Sequence, residues 1–151
     1  MVSYGKNLQL KFSRYFLYNT LVNKIGDTLT PTILIIDENE TIQNELRNLI
    51  DSNFQAECEH VFSKEEALQR CKEKAYQLII IDPMIPSSFD GEEVIKEQRQ
   101  FYSINKETPM IIFTEDIDYI SRLAEEYQIH PESKIGPVSK ILNPIKMQLG
   151  V

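Results

Sequence analysis

Short apolar runs alternate with amphipathic stretches along the chain from Thr32 onward. Apolar runs rich in β-branched residues are typical of strands buried in a parallel sheet, and three occur, at 32–36, 78–81 and 110–113. A further strand, half exposed, is predicted where Phe54, Ala56 and Cys58 alternate with polar residues. Each predicted strand is followed by a stretch with helical spacing.

Four helices are predicted between and after these strands. The first carries an apolar stripe with helical spacing, formed by Ile42, Leu46, Leu49 and Ile50. Ser63 and Glu66 form a capping box that begins the second helix. The third opens at Asp90–Gly91, and the fourth carries a stripe formed by Ile117, Ile120, Leu123 and Ala124. Strands that alternate with helices predict an α/β fold with a mainly parallel sheet.

Composition limits the class of protein. A chain of 151 residues with 42% hydrophobic and 26% charged residues fits one globular domain. No apolar run approaches the roughly 20 residues that span a membrane, and the N-terminus lacks the pattern of a signal peptide. The 2 cysteines have no CxxC spacing, so neither a disulfide framework nor a zinc site is predicted. We therefore expect a cytoplasmic protein.

Charge is unevenly distributed. Residues 1–26 contain four basic and no acidic residues, so the remainder of this chain of net charge -7 carries -11. An acidic body argues against direct nucleic-acid binding, because phosphate contacts need clustered Lys and Arg. It suits a domain whose carboxylates hold a divalent cation, although acidic surfaces also serve solubility.

Polar residues follow three of the predicted strands, at their carboxyl ends. Asp37 and Glu38 follow the first, Asp82 follows the most apolar one, and Thr114 follows the run at 110–113. Ligands of open α/β sheets bind beyond these strand ends. Clustered carboxylates suit Mg²⁺ or Mn²⁺, and with the cation present one carboxylate can attack a phosphoryl group. The alternative is that each Asp merely caps the following loop.

Four motifs resemble the response-regulator receiver family over residues 32–142. They are ILIIDENE, YQLIIIDPMIP, DGEEVI and PMIIFTE, and their order and spacing together are specific. The resemblance implies a doubly wound, flavodoxin-like fold with a five-stranded parallel sheet in the order 2-1-3-4-5. It places the receiver domain at residues 31–151.

The same resemblance implies a role for particular residues. Asp82 becomes the phosphoacceptor. Asp37, Glu38 and Asp82, with the backbone carbonyl of Met84, would hold Mg²⁺ (or Mn²⁺). Thr114 would sense the phosphoryl group.

Several positions depart from the family pattern. Pro83 follows the phosphoacceptor and has no backbone N–H to offer the phosphoryl oxygens. The loop between Pro86 and Asp90 is one residue longer than usual. An ungapped count from Thr114 places the family's Lys-Pro pair on Gly136–Pro137, and a gapped alternative places it on Asn143–Pro144.

The lysine slot is therefore occupied by Gly136 or Asn143, neither of which is a lysine. Lys134, two residues before Gly136, would point to the same face of a strand and could substitute, or else face solvent at the sheet edge. The family's aromatic switch position falls on Ser133 (or Lys140). The resemblance also implies a cis peptide bond before Pro137.

Residues 1–30 lie outside the resemblance. Apolar residues recur there at helical spacing among basic ones, at Leu8, Phe12, Tyr15, Phe16 and Val22. This predicts an amphipathic helix followed by a linker. The helix could form a homodimer, fill a partner's groove, bind an anionic membrane or pack on the same domain.

The resemblance implies a response regulator that accepts a phosphoryl group from a histidine kinase or histidine phosphotransfer protein. It would signal through a downstream protein partner, with no enzymatic activity beyond self-phosphorylation and autodephosphorylation. A second hypothesis is a pseudo-receiver, an interaction module that never cycles phosphate. A third is a metal-dependent phosphohydrolase, disfavoured because neither His60 nor His130 follows a strand that could supply a second acid–base group.

Overall fold

A computed structural model describes residues 30–85 and 90–151 of the protein. Its five strands are β1 (Thr32–Ile36), β2 (Glu57–Val61), β3 (Leu78–Ile81), β4 (Met110–Thr114) and β5 (His130–Ser133). Its α-helices are α1 (Glu40–Asn53), α2 (Lys64–Glu73), α3 (Asp90–Gln98), α4 (Ile117–Tyr127) and α5 (Leu142–Leu149). A 3₁₀ turn, Val138–Ile141, leads directly into α5.

The strands form one parallel sheet in the order β2-β1-β3-β4-β5, which confirms the predicted fold. The central strands β1, β3 and β4 are buried along their whole length, as their continuous apolar sequences indicate. Because every strand is parallel, all five carboxyl ends meet at one edge of the sheet.

Hydrophobic cores lie on both faces of the sheet, because alternate side chains of each strand point to opposite faces. One core joins β1, β3 and β4 to α1 and α5, through residues that include Ile33, Ile35, Leu46, Ile80 and Ile145. The other joins the sheet to α2, α3 and α4, through residues that include Leu34, Ile81, Ala67, Val94 and Leu123. The fold is thus doubly wound.

The second strand lies later in the chain than predicted. It spans Glu57–Val61, whereas the alternation of Phe54, Ala56 and Cys58 placed it earlier. Phe54 and Ala56 are half-buried against the core beside α1 although they lie in the connecting loop. Their alternation therefore reflects a loop that packs on the core.

The segment after β5 also differs from the prediction. The strand ends at Ser133, so Lys134 and Gly136 do not share a strand face. Gly136 takes a φ of 99°, a left-handed conformation that favours glycine, and all peptide bonds of the described residues are trans. The prediction of a cis bond before Pro137 is therefore wrong: the chain bends at residues 134–136 with this bond trans. The alternative lysine slot, Asn143, is exposed within α5.

The predicted amphipathic helix and linker of residues 1–30 lie outside the described residues, except for Thr30. Within the described part of the chain, no helix has the length and apolar character needed to cross a membrane.

The loop between α3 and β4 is held by a fully buried amide, Asn105. Its Nδ2 donates to the carbonyls of Cys71 and Lys74, both at 2.9 Å. Its Oδ1 accepts from the Tyr76 N–H at 2.9 Å and from the Thr108 hydroxyl at 3.1 Å. The Asn105 side chain thereby links the segment before β3 with the segment before β4.

We expect Asn105→Ala to lower the free energy of unfolding by about 2–4 kcal/mol, because it leaves several buried polar groups without a partner. Urea unfolding followed by circular dichroism measures this loss. Asn143→Ala, at an exposed position of α5, is the matched control and should unfold like wild type. Equal stability of the two variants would contradict the role given to Asn105.

Candidate functional site

Asp37 and Asp82 lie side by side at the carboxyl edge of the sheet, because each follows one of two paired strands, β1 and β3. The Asp82 N–H donates to the Ile36 carbonyl at 2.9 Å, so the ladder continues up to the acidic residue. One carboxylate oxygen of each residue accepts a nearby backbone N–H. Asp37 Oδ1 accepts from Asn39 at 2.8 Å, and Asp82 Oδ1 accepts from Met84 at 2.9 Å. The second oxygen of each carboxylate is directed elsewhere.

Those second oxygens share one ammonium group, that of Lys134. Its Nζ lies 2.6 Å from Asp37 Oδ2 and 2.5 Å from Asp82 Oδ2. The side chains are only 6% exposed for Lys134, 3% for Asp37 and 12% for Asp82. Lys134 directly follows β5, and its backbone N–H donates to the Thr114 carbonyl at 2.9 Å. Its Nζ is also 5.9 Å from the centre of the Phe113 ring.

Burial and charge act in opposite directions on this group of side chains. Burial raises the pKa of Asp37 above its ordinary value, although the Lys134 ammonium opposes the shift. Burial alone would lower the pKa of Lys134, but the carboxylates of Asp37 and Asp82 outweigh it and raise that pKa. Lys134 therefore remains charged and neutralises part of the negative charge of the pair.

The other site residues predicted from the sequence are Glu38, Met84 and Thr114. Glu38 is exposed, and Met84 contacts the site through its N–H to Asp82. Thr114 is buried, and its carbonyl holds the backbone of Lys134. Within residues 30–85 and 90–151, no three His, Cys, Asp or Glu side chains are grouped as a metal site. The structure thus brings together Asp37, Asp82 and Lys134.

Gly91, at the start of α3, permits close packing against the loop that follows Asp82. A Cβ at this position would lie 2.4 Å from Pro83 Cα and 2.8 Å from the Asp82 carbonyl oxygen. The Gly91 N–H donates to the Pro83 carbonyl at 3.0 Å. In the sequence, Asp90–Gly91 indicated the start of a helix and opened the DGEEVI motif. The contact shows that α3 lies directly on the backbone of Asp82.

Gln43, which was not predicted from the sequence, lies beneath the acidic pair. Its Nε2 donates to the backbone carbonyl of Asp37 at 2.6 Å and to that of Val61 at 2.8 Å. A signal was present, since Gln43 precedes Leu46 by three residues and Ile50 by seven, on the buried face of α1.

The sequence of this sheet and its helices matches a known protein-family model. Residues 33–129 match the model described as the response regulator receiver domain. This match covers more than half of the chain. The chain belongs to the response regulator receiver family. Comparison with curated protein sequences gave no match.

Solved structures of similar fold include several receiver domains. A signal receiver domain of a two-component signal transduction histidine kinase from Clostridium thermocellum has a TM-score of 0.72 at 23% identity, covering 82% of this chain and 100% of that one. The signal receiver domain of an HD domain-containing protein from Pseudomonas fluorescens has a TM-score of 0.68 at 26% identity, covering 82% and 91%. The BeF₃-activated DrrB receiver domain has a TM-score of 0.67 at 17% identity, covering 82% and 100%.

Receiver domains generally bind Mg²⁺ at an acidic site, and the residues present here are compatible with that ion. Asp37 and Asp82 supply carboxylate oxygens, the donors that Mg²⁺ prefers. The two carboxylates already share one positive charge, that of Lys134, at the buried carboxyl ends of β1 and β3. Few protein ligands suffice, because Mg²⁺ usually keeps several waters.

We expect Lys134→Met to lower the free energy of unfolding at neutral pH by about 3–5 kcal/mol, because two buried carboxylates lose their counter-charge. Urea unfolding in the presence of EDTA measures the loss. Without Lys134, the pKa of Asp37 in the folded protein lies above its unfolded value. The variant should therefore regain stability as pH falls through that folded pKa and lose it as pH rises.

Two further variants control this measurement. Lys146→Met, at an exposed position of α5, should unfold like wild type. Asp37→Asn introduced into Lys134→Met should recover part of the lost stability, because it removes one of the unpaired charges. If Lys134→Met were as stable as Lys146→Met, the buried ion pair would not contribute to stability.

Proposed function

We propose that this receiver domain accepts a phosphoryl group on the carboxylate of Asp82. The observation that carries the proposal is the arrangement of Asp82 at the end of β3, with Asp37 beside it and the Lys134 ammonium bridging the two. Asp82 is also the more exposed carboxylate of the pair, which leaves it accessible to a donor. Family membership supports the same assignment.

The reaction we propose is transfer from the phosphohistidine of a histidine kinase or phosphotransfer protein. A carboxylate oxygen of Asp82 attacks the phosphorus, an O–P bond forms, and the P–N bond of the donor breaks. The donor imidazole leaves with the electron pair of that bond and takes up a proton. The product is an acyl phosphate on Asp82, which hydrolysis returns to the free carboxylate.

The residues of the site stabilise the added charge. The Lys134 ammonium lies beside the oxygen of Asp82 and is positioned to accompany the phosphoryl group. The Met84 N–H provides a backbone donor where Pro83 cannot. A Mg²⁺ ion, held by Asp37 and Asp82 with Glu38 and the Met84 carbonyl as further oxygen donors, would offset the charge of the phosphoryl oxygens. We assign Thr114, at the end of β4, as the residue that senses the phosphoryl group.

In this proposal Lys134 replaces the lysine that the family pattern places two residues later, where this chain has Gly136. The four-carbon stem of lysine allows its ammonium to reach the same carboxylates from another backbone position. We further propose that the receiver domain spans residues 31–151 and signals by binding a downstream protein. Residues 1–30 would precede it as an N-terminal extension.

Acetyl phosphate with Mg²⁺ should add one phosphoryl group to the wild-type protein, and Asp82→Asn should abolish the addition, because the amide cannot form the acyl phosphate. Intact-protein mass spectrometry measures both. Asp118→Asn, an exposed position of α4, is the matched control and should be modified like wild type. A wild-type mass that stays unmodified under saturating donor would favour an interaction module that never cycles phosphate.

Mg²⁺ alone should bind the wild-type protein weakly, because the protein offers few ligands to an ion that keeps its waters. We expect Asp37→Asn to abolish this binding, since it removes a buried anionic oxygen from the pair. Titration followed by amide NMR shifts near β1 and β3 detects the change. Binding that survives Asp37→Asn unchanged would show that the ion lies elsewhere.

A further inference from the structure

The amide of Gln43 has a fixed orientation beneath the acidic pair. The residue is 1% exposed, and a buried amide needs a partner for each of its polar groups. Its two neighbours at 2.6 Å and 2.8 Å are the carbonyl oxygens of Asp37 and Val61, which can only accept hydrogen bonds. The NH₂ end must therefore face them, and the oxygen Oε1 must face outward.

The outward oxygen meets His60 of β2. Gln43 Oε1 lies 2.6 Å from His60 Nδ1, and the Nε of Arg47 donates to His60 Nε2 at 2.9 Å. A guanidinium only donates, so Nε2 must be the acceptor and Nδ1 must carry the proton. A continuous series of hydrogen bonds thus runs from Arg47 through neutral His60 and Gln43 to the backbone of Asp37.

We propose that Gln43 is a positioning residue for the acidic pair, and that neutral His60, held by Arg47, keeps the amide of Gln43 directed at the backbone of Asp37. The inference rests on the proposed function, because it assigns these residues to a metal and phosphoryl site. Asp37 is then held through its carbonyl by Gln43, through its N–H by the Val61 carbonyl and through its carboxylate by Lys134. A change in the hydrogen bonds of His60 should therefore alter the position of the Asp37 backbone through Gln43.

Protonation of His60 breaks the series. An imidazolium donates from both nitrogens, so it cannot accept the bond from Arg47, and the two cations then repel each other. Burial first, and then the charge of Arg47, lower the pKa of His60 below its ordinary value, while Asp51 acts in the opposite direction. On β1 the cross-strand neighbour is the apolar Ile35. The adjoining groove toward α2 carries the charged residues Glu65, Glu66, Arg70 and Glu73.

The sign of the pH effect follows from the lowered pKa. The bonds of neutral His60 are complete above the ordinary imidazole pKa of about 6.5 and are lost as pH falls through the lower pKa of the folded state. Acidification should therefore loosen the backbone of Asp37 through His60. This effect is separate from protonation of the carboxylate pair itself.

The first test measures the affinity for Mg²⁺ alone near neutral pH. We expect Gln43→Leu to weaken binding about 10-fold or more, as loss of the residues that orient metal ligands commonly does. Asn48→Leu, the same exchange of an amide for an apolar side chain at an exposed position of α1, should bind like wild type. Circular dichroism establishes that both variants are folded.

The second test separates positioning from mere stability through the pH profile. The amide nitrogen of Asn can occupy the place of Nδ1 and donate to Gln43, but it does not titrate. We expect His60→Asn to bind Mg²⁺ like wild type at neutral pH and to lose less affinity on acidification. His60→Leu, which has no donor, should bind weakly at every pH.

A third readout needs neither metal nor phosphate, and it remains valid if Gln43→Leu does not fold. The amide resonance of Asp37 should follow the titration of His60 in wild type and lose that component in His60→Asn. An Asp37 resonance that ignores His60, or Mg²⁺ binding by folded Gln43→Leu equal to wild type, would overturn the inference. If acetyl phosphate failed to modify Asp82, the proposed function would fail while these measurements still decided the role of Gln43.

Discussion

The carboxyl edge of the sheet depends on one ammonium group that two buried carboxylates share. Asp37 and Asp82 follow adjacent strands, so their charges are forced together by the ladder between β1 and β3. Closely packed like charges that are also removed from water are unfavourable unless a cation accompanies them. The ammonium of Lys134, which follows β5, is that cation. It links the carboxyl ends of β1, β3 and β5.

The fold provides the rigidity that this arrangement needs. Asp37 and Asp82 directly follow the buried apolar strands β1 and β3. Helix α3 packs on the backbone after Asp82 because Gly91 has no Cβ. A flexible lysine stem can reach the pair from the residue directly after β5, and the left-handed Gly136 then redirects the chain toward the last helix.

Much of the architecture could be predicted from the sequence, because apolar periodicity and strand-end polarity are local signals. The runs at β1 and β3 and the helix stripes follow from them, whereas the doubly wound strand order was implied by the resemblance to the receiver family. β2 was misplaced because the apolar residues of the loop before it pack on the core and mimic strand alternation. The sequence offered Lys134 as a substitute cation, with a solvent-facing lysine as the alternative. Its ion pair with Asp37 was not predicted, since it depends on where β5 ends and how far a side chain reaches. Gln43 was overlooked because its helical spacing from Leu46 and Ile50 indicates burial but not the partners of its amide.

¹⁵N NMR of the Lys134 side-chain ammonium, recorded as Mg²⁺ and beryllofluoride are added, tests whether this group accompanies the phosphoryl site on Asp82. Beryllofluoride is the reagent named for the activated DrrB receiver domain, and it imitates a phosphoryl group on a carboxylate. In the free protein the ammonium should exchange slowly with solvent, because it is buried between two carboxylates. Its resonance should shift on addition of the reagent in wild type and not in Asp82→Asn. An ammonium that exchanges like those of exposed lysines, and does not respond while other resonances of the site shift, would contradict the account.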